Sequence, residues 1–131
     1  MDNLYIAATT TSPEVDFRFD EHALSIKGES YPENAAAFYA PIIEQMRAYL
    51  AGNVGAAITI DVALTYFNSS STKMLFSMFD ALDQAAQSGT RVSMNWYRDE
   101  EDETIAEFGE ELKADFRAIE FTDRPVANQG R

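Results

Sequence analysis

Asn68-Ser69-Ser70-Ser71-Thr72-Lys73 places four consecutive hydroxyl side chains between an asparagine and a lysine, directly after Tyr66-Phe67. Two kinds of chemistry suit such a run. The first is capping, in which Asn, Ser and Thr oxygens accept from the free N–H groups of a helix's first turn. One cap satisfies that need, and this run exceeds it. The second is to carry a phosphate, whose charge of about −1.5 to −2 would face backbone N–H groups and the positive end of a helix dipole. Lys73, four residues after Ser69, is placed to reach back toward such a group.

Other chemistry is thinly supplied. The run Asp99-Glu100-Glu101-Asp102-Glu103 lacks the glycine and the spacing of a calcium loop. Acids in a first turn complement the helix dipole, each contributing about 0.3–1 kcal/mol. The same region also suits contact with a basic partner, because 11 of the 22 acids fall between Asp99 and Asp123 with only Lys113 and Arg117 to offset them. A Ser-His-Asp triad would have to use His22, the one histidine, which sits beside Asp20 and Glu21 at a hairpin turn and reads as a surface residue. Asp61 shares its parity with Thr59, Ala63 and Thr65 and so belongs on the solvated face of a strand. Gly52-Asn53-Val54-Gly55 is a short turn, and no Gly-rich phosphate loop is present. With no nucleophile–base pair, the chain reads as a non-enzyme that needs no cofactor.

Composition narrows the field further. The 131 residues suit one domain, with 46% hydrophobic and 24% charged residues, which is neither a disordered nor a rod-like balance. Zero cysteines exclude disulfides and thiolate sites, and a single histidine excludes a multi-histidine metal centre. Ten Lys+Arg against 22 Asp+Glu give a net charge of −12, which repels nucleic acid and anionic membrane. Met1-Asp2-Asn3-Leu4-Tyr5 lacks the basic and apolar regions of a signal peptide. No apolar stretch is long enough to span a bilayer. Asn68-Ser69-Ser70 matches a glycosylation sequon, which has no meaning without secretion. A cytoplasmic location is expected.

The elements that position these residues follow from two periods. Val15, Phe17 and Phe19; Leu24 and Ile26; Ile58, Ile60, Val62, Leu64 and Tyr66; Val92, Met94 and Trp96; and Ile119 and Phe121 alternate with polar neighbours as strands do. Leu4 to Ala8 is a further, shorter strand candidate. One apolar face per strand predicts a mixed sheet with helices on one face and solvent on the other, a two-layer α/β sandwich. The first helix is expected to open at Pro32-Glu33 and run to Ala51, with Phe38, Ile42, Met46, Tyr49 and Leu50 inward and Pro41 kinking or restarting it. The second spans about Ser70 to Gln87, with Met74, Leu75, Met78, Phe79 and Leu82 inward and Gly89 as its C-cap. The third spans about Asp102 to Ala114, using Ile105, Phe108 and Leu112. Residues 1–124 form the domain, and 125–131 read as a loose polar tail.

The strand–Asn–Ser–Ser–Ser–helix junction resembles that of anti-sigma-factor antagonist (STAS) domains, whose Asp-Ser-Ser-Gly motif is phosphorylated on its first serine. Here Asn68 stands for that aspartate and Ser71 for the glycine. Three segments together resemble the SiaC-type regulatory phosphoproteins more closely. These are Gly28-Glu29-Ser30-Tyr31-Pro32-Glu33-Asn34, Tyr66 to Lys73, and Asn95-Trp96-Tyr97 with its acidic run, covering about Gly28 to Phe121. The resemblance implies a STAS-like fold and a partner switch: a cognate kinase phosphorylates the junction, a PP2C-type phosphatase reverses this, and the unmodified form binds a target. In one branch of that family the target is a diguanylate cyclase, which links the switch to cyclic-di-GMP and biofilm formation. The implied acceptor is Ser69, where the family commonly has threonine. Asn68, Ser70, Ser71, Lys73, Tyr31 and Glu33 are the implied partner-binding residues. A small-ligand- or lipid-binding STAS-like module, using the helix N-terminus as an anion site, is the alternative.

Overall fold

The computed structural model describes residues 1–127. Strands β1 (Leu4–Ile6), β2 (Glu14–Arg18), β3 (Ala23–Ser30), β4 (Ala57–Phe67), β5 (Arg91–Asp99) and β6 (Glu120–Val126) form one sheet in sequential order. The first three pair antiparallel, and β3 to β6 pair parallel. Helices α1 (Ala35–Ala51), α2 (Ser69–Gln87) and α3 (Glu103–Asp115) make the parallel connections. A short 3-10 helix, Phe19–Glu21, carries β2 into β3, and His22 closes it in the left-handed region at φ 54°.

The expected parity holds through most of the sheet. Val15, Phe17, Leu24, Ile26, Ile58, Ile60, Val62, Val92, Met94 and Trp96 are buried in one core with the apolar stripes of all three helices. Asp61 and Thr65 lie on the opposite, helix-free face, where Asn95 Nδ2 donates to Asp61 Oδ1 at 2.8 Å and Arg124 Nε donates to Asn95 Oδ1 at 3.0 Å. The sandwich is therefore two-layered.

Parity breaks at one place. Gly28 pairs with Leu64, but Glu29 pairs with Tyr66, so Thr65 is an extra residue in β4. Such a bulge re-aims the side chains beyond it. Tyr66, expected inward, is 51% exposed, and Phe67 turns inward onto Phe108 at 4.6 Å between ring centroids.

Several element ends also differ from expectation. Helix α1 starts after Asn34 rather than at Pro32, because the Asn34 side chain accepts from Ala37 N and fixes the first turn there. Pro41 neither ends nor restarts it. Proline in a helix interior costs about 3 kcal/mol, and here burial of Ile42, Ile43 and Met46 on the sheet offsets that loss. Tyr39, not Phe38, occupies the deep position. Helix α2 is capped at its end by Ser88, with Gly89 following at φ 111°. Strand β6 runs two residues into the expected tail, pairing Pro125 with Arg98 and Val126 with Asp99. A proline is tolerated there because β6 is an edge strand. Residues 128–131 of that expected tail lie outside the described residues.

Candidate functional site

At the carboxyl ends of β3, β4 and β5 the chain repeats one device. An asparagine or aspartate in extended backbone caps the following helix: Asn34 accepts from Ala37 N at 3.0 Å, Asn68 from Ser71 N at 2.9 Å, and Asp102 from Ile105 N at 3.0 Å. Two of the three helix starts, those of α1 and α2, face each other across a groove of about 490 Å³. Glu33, Asn34 and Ala36 line one side, and Ser69, Ser70 and Lys73 the other. Neither helix has an acid in its first turn; Glu33 precedes the α1 cap, whereas no acid adjoins the α2 start, which therefore presents an uncompensated helix end at this groove.

The four hydroxyls of the turn are not equivalent. Ser69 and Ser70 are exposed. Thr72 is half-buried and donates from Oγ1 to the Asn68 carbonyl at 3.0 Å. Ser71 is fully buried, and its Oγ accepts from Ser30 Oγ at 2.8 Å. Ser30 in turn shares a 2.6 Å hydrogen bond with the buried Tyr39 hydroxyl. Burial pushes the Tyr39 phenol up to about 12, and the bond to Ser30 offsets part of that rise. Ser71, expected among the partner-facing residues, therefore faces the interior. The reason is helical geometry: once Asn68 fixes the start of α2, its third residue shares the inward stripe with Leu75 and Met78.

Of the other expected residues, Glu33 and Lys73 line the groove. Lys73 is exposed, and among the described residues no ion pair engages it. Asn68 is half-buried, and its backbone N–H donates to the Ser30 carbonyl at 3.0 Å, tying the cap to the end of β3. Tyr31 packs edge-on against Tyr66 at 5.8 Å, giving an aromatic pair at the end of β3 and β4. Sequence parity concealed Tyr66, since nothing in the alternation marks where a bulge falls.

The acidic run splits in the fold. Asp102 is the α3 cap, and Asp99 Oδ1 accepts from Glu101 N at 2.8 Å within the turn. Arg98 donates to both carboxylate oxygens of Asp123 at 2.9 Å. His22 is half-buried, and its Nδ1 is hydrogen-bonded to the Tyr49 hydroxyl, whose pKa burial pushes up to about 12. Among the described residues no cluster of three or more His, Cys, Asp or Glu could hold a metal ion. No helix of the described residues is long and apolar enough to cross a membrane.

Comparison with known proteins places this geometry. The profile of the SiaC family of regulatory phosphoproteins matches residues 6–126. The chain belongs to the SiaC family. It is 33% identical over 115 residues to an uncharacterized protein of Pseudomonas aeruginosa strain UCBPP-PA14, covering 88% of this chain and 90% of the relative. Apo-SiaC of Pseudomonas aeruginosa superposes with a TM-score of 0.86 at 31% identity, over 95% of this chain and 99% of that one. SiaC in its crystal complex with the diguanylate cyclase SiaD, which it activates, superposes at 0.87 and 31% identity, over 94% and 99% of the two chains. The family is regulatory, and the Pseudomonas aeruginosa member binds a partner protein.

Proposed function

We propose that this chain is a partner-switching phosphoprotein, modified at Ser69, whose unmodified form binds and activates a diguanylate cyclase in the cytoplasm. The observation that carries the reading is the exposed Ser69 at the start of α2, beside Lys73 and on the rim of the groove. In the phosphoryl transfer, Ser69 Oγ bonds to the γ-phosphorus of ATP supplied in the cognate kinase. The bond from that phosphorus to the β–γ bridging oxygen breaks, ADP leaves, and the hydroxyl proton passes to a base of the kinase. A PP2C-type phosphatase returns the serine: water bonds to the same phosphorus, the Oγ–phosphorus bond breaks, Ser69 Oγ takes up a proton and inorganic phosphate leaves.

The fold tolerates the modification. The added charge meets the positive ends of α1 and α2 and Lys73, while Glu33 across the groove subtracts from that gain. A partner that packs over the unmodified turn would have to desolvate a doubly charged group. Without a new cation to receive it, that lowers affinity at least about a hundredfold. Asn68, Ser70, Lys73, Tyr31 and Glu33 form the surface that partner reads, and Tyr66 extends it, since exposed tyrosines anchor interfaces at low entropic cost.

Titration of a diguanylate cyclase with the unmodified, phosphorylated and Ser69→Ala chains tests the switch. The first and third should bind alike and the second about a hundredfold more weakly. Equal affinity of the unmodified and phosphorylated forms, at matched thermal stability, removes the mechanism.

A further inference from the structure

The hydroxyl chain Tyr39–Ser30–Ser71 crosses three elements at the base of the hydroxyl turn. Tyr39 belongs to α1, Ser30 ends β3, and Ser71 lies in the first turn of α2. All three residues are fully buried, and the links measure 2.6 and 2.8 Å. Among the described residues no buried side-chain polar atom lacks a hydrogen-bond partner, so the chain is complete as it stands. The Ser71 amide is also taken, by Asn68 Oδ1 at 2.9 Å. A residue held by both its amide and its hydroxyl has one orientation.

We propose that Ser71 is a positioning and specificity residue: its buried bond to Ser30 withholds it from phosphoryl transfer, fixes the first turn of α2 on α1 and β3, and leaves Ser69 and Ser70 as the hydroxyls a kinase can reach. The inference rests on the reading of this turn as a phosphoacceptor. Four adjacent hydroxyls would otherwise be chemically equivalent nucleophiles, each forming the same Oγ–phosphorus bond with loss of ADP. Burial separates them. In-line attack requires the acceptor oxygen to enter the kinase site, and Ser71 Oγ cannot do so without breaking the chain to Ser30 and Tyr39. Thr72 is restrained differently, through its own bond to the Asn68 carbonyl. The same lock orients the open pair. Ser69 and Ser70 occupy the two helix positions just before the anchored residue, so tilting the first turn of α2 would move both oxygens relative to Lys73 and the groove.

The chain has no cysteine, so Ser69→Cys, Ser70→Cys, Ser71→Cys and Thr72→Cys chains each carry one thiol. Its alkylation by iodoacetamide can be timed in the folded chain and in urea. The substitutions at 69 and 70 should react within about tenfold of their unfolded rates, and that at 71 at least about a hundredfold more slowly. Equal protection at 69 and 71 overturns the lock.

The second arm uses the family's partner kinase with ATP. Phosphate should map to Ser69 or Ser70, and Ser71→Ala should lower kcat for phosphorylation about tenfold at unchanged KM, because a misplaced acceptor loses orientation rather than binding. A merely unstable variant would instead deplete folded substrate and raise the apparent KM. Should Ser71→Ala fail to fold, Tyr39→Phe breaks the far link while keeping the ring, and the same kcat loss is expected in smaller measure. Unchanged kcat and KM in both variants overturn the positioning role. Phosphate on Ser71 or Thr72 alone overturns this inference and leaves the phosphoacceptor reading of the turn standing. Phosphate on no residue overturns that reading and this inference with it, whatever the thiol rates show.

Discussion

The starts of α2 and α3 are built from the same parts and differ in charge and in anchorage. Each follows a parallel strand, and each is capped by an Asx side chain that accepts from the third helical N–H, at 2.9 and 3.0 Å. Helix α3 then carries Glu103 in its first turn and acids before its cap, so its dipole is already compensated. Helix α2 has hydroxyls and no acid there. Anchorage differs too. The first turn of α2 is tied down by a chain of hydroxyls, whereas α3 is held by the Trp96 indole N–H donating to the Ile105 carbonyl at 3.0 Å. A compensated helix end gains little from another negative charge. An uncompensated one, with reachable hydroxyls, is the end that would favour the added charge of the proposed phosphate.

The largest expected effect tests the α3 anchor. A Cβ at Gly109 would lie 2.7 Å from Trp96 Nε1 and 2.8 Å from its Cδ1, and Trp96 is buried with its indole already bonded. Gly109→Ala should therefore destabilise the chain by about 1–3 kcal/mol in urea denaturation, despite alanine's better helix propensity. Amide exchange should accelerate in α3 while the first turn of α2 keeps its protection. Equal acceleration at both helix starts would show that the two anchors are not independent.

The parts of this contrast that sequence exposes are local ones. Strand alternation exposes the core face of β2 to β5, and the Asn-Ser-Ser-Ser run marks the start of α2 to within one residue, because both depend on near neighbours. Tyr66 was misassigned since the bulge at Thr65 is a relation between β3 and β4. Residue type alone sets Ser71 on the surface, because its hydrogen-bond partner Ser30 is 41 positions away in the chain and Ser30's own further partner, Tyr39, is on α1. His22 read as a bare turn residue for the same reason, its partner Tyr49 being on α1. Hydroxyl type alone does not say which hydroxyl is open; the position of the cap does, once the helix phase is fixed.

Alkali should separate the anchors next. The Tyr39 phenol is raised by burial from 10.0 to about 12. Below 10.0 the phenol is neutral in both states and its contribution to stability is complete. Above that the unfolded phenol ionises while the folded one keeps its proton, so stability falls as pH rises from 10.0 through about 12. Tyr49, raised to about 12 by burial, acts in the same direction. Urea midpoints across this window should decline in the native chain, less in Tyr39→Phe, and least in Tyr39→Phe/Tyr49→Phe. An undiminished slope in the double variant would remove both phenols as the cause. The caps give a smaller effect: Asn68→Ala and Asp102→Ala should each cost about 1 kcal/mol at low salt. High salt should shrink only the Asp102 loss, since a charge on a dipole is screened and a neutral cap is not.

The smallest effect bears most directly on the proposed phosphate. Ser70 and Thr104 are both exposed and occupy the second position of α2 and α3 respectively. An aspartate at either one adds the same charge at the same height on a helix. At α2 it meets an uncompensated dipole and the nearby Lys73, and Glu33 opposes it across the groove. Ser70→Asp should therefore stabilise the chain by about 0.3–1 kcal/mol at low salt. At α3 it meets Glu107, three positions on and on the same face as Thr104, at a helix end already occupied by Asp102 and Glu103, so Thr104→Asp should be neutral or destabilising by a few tenths of a kcal/mol. Paired thermal melts at low and high salt read the difference, which should shrink as ionic strength rises. Equal stabilisation at both sites would mean that the acids of α3 leave its dipole as open as that of α2. The case for the proposed phosphate at the hydroxyl turn would then rest on the reach of Ser69 and Ser70 alone and not on its electrostatics.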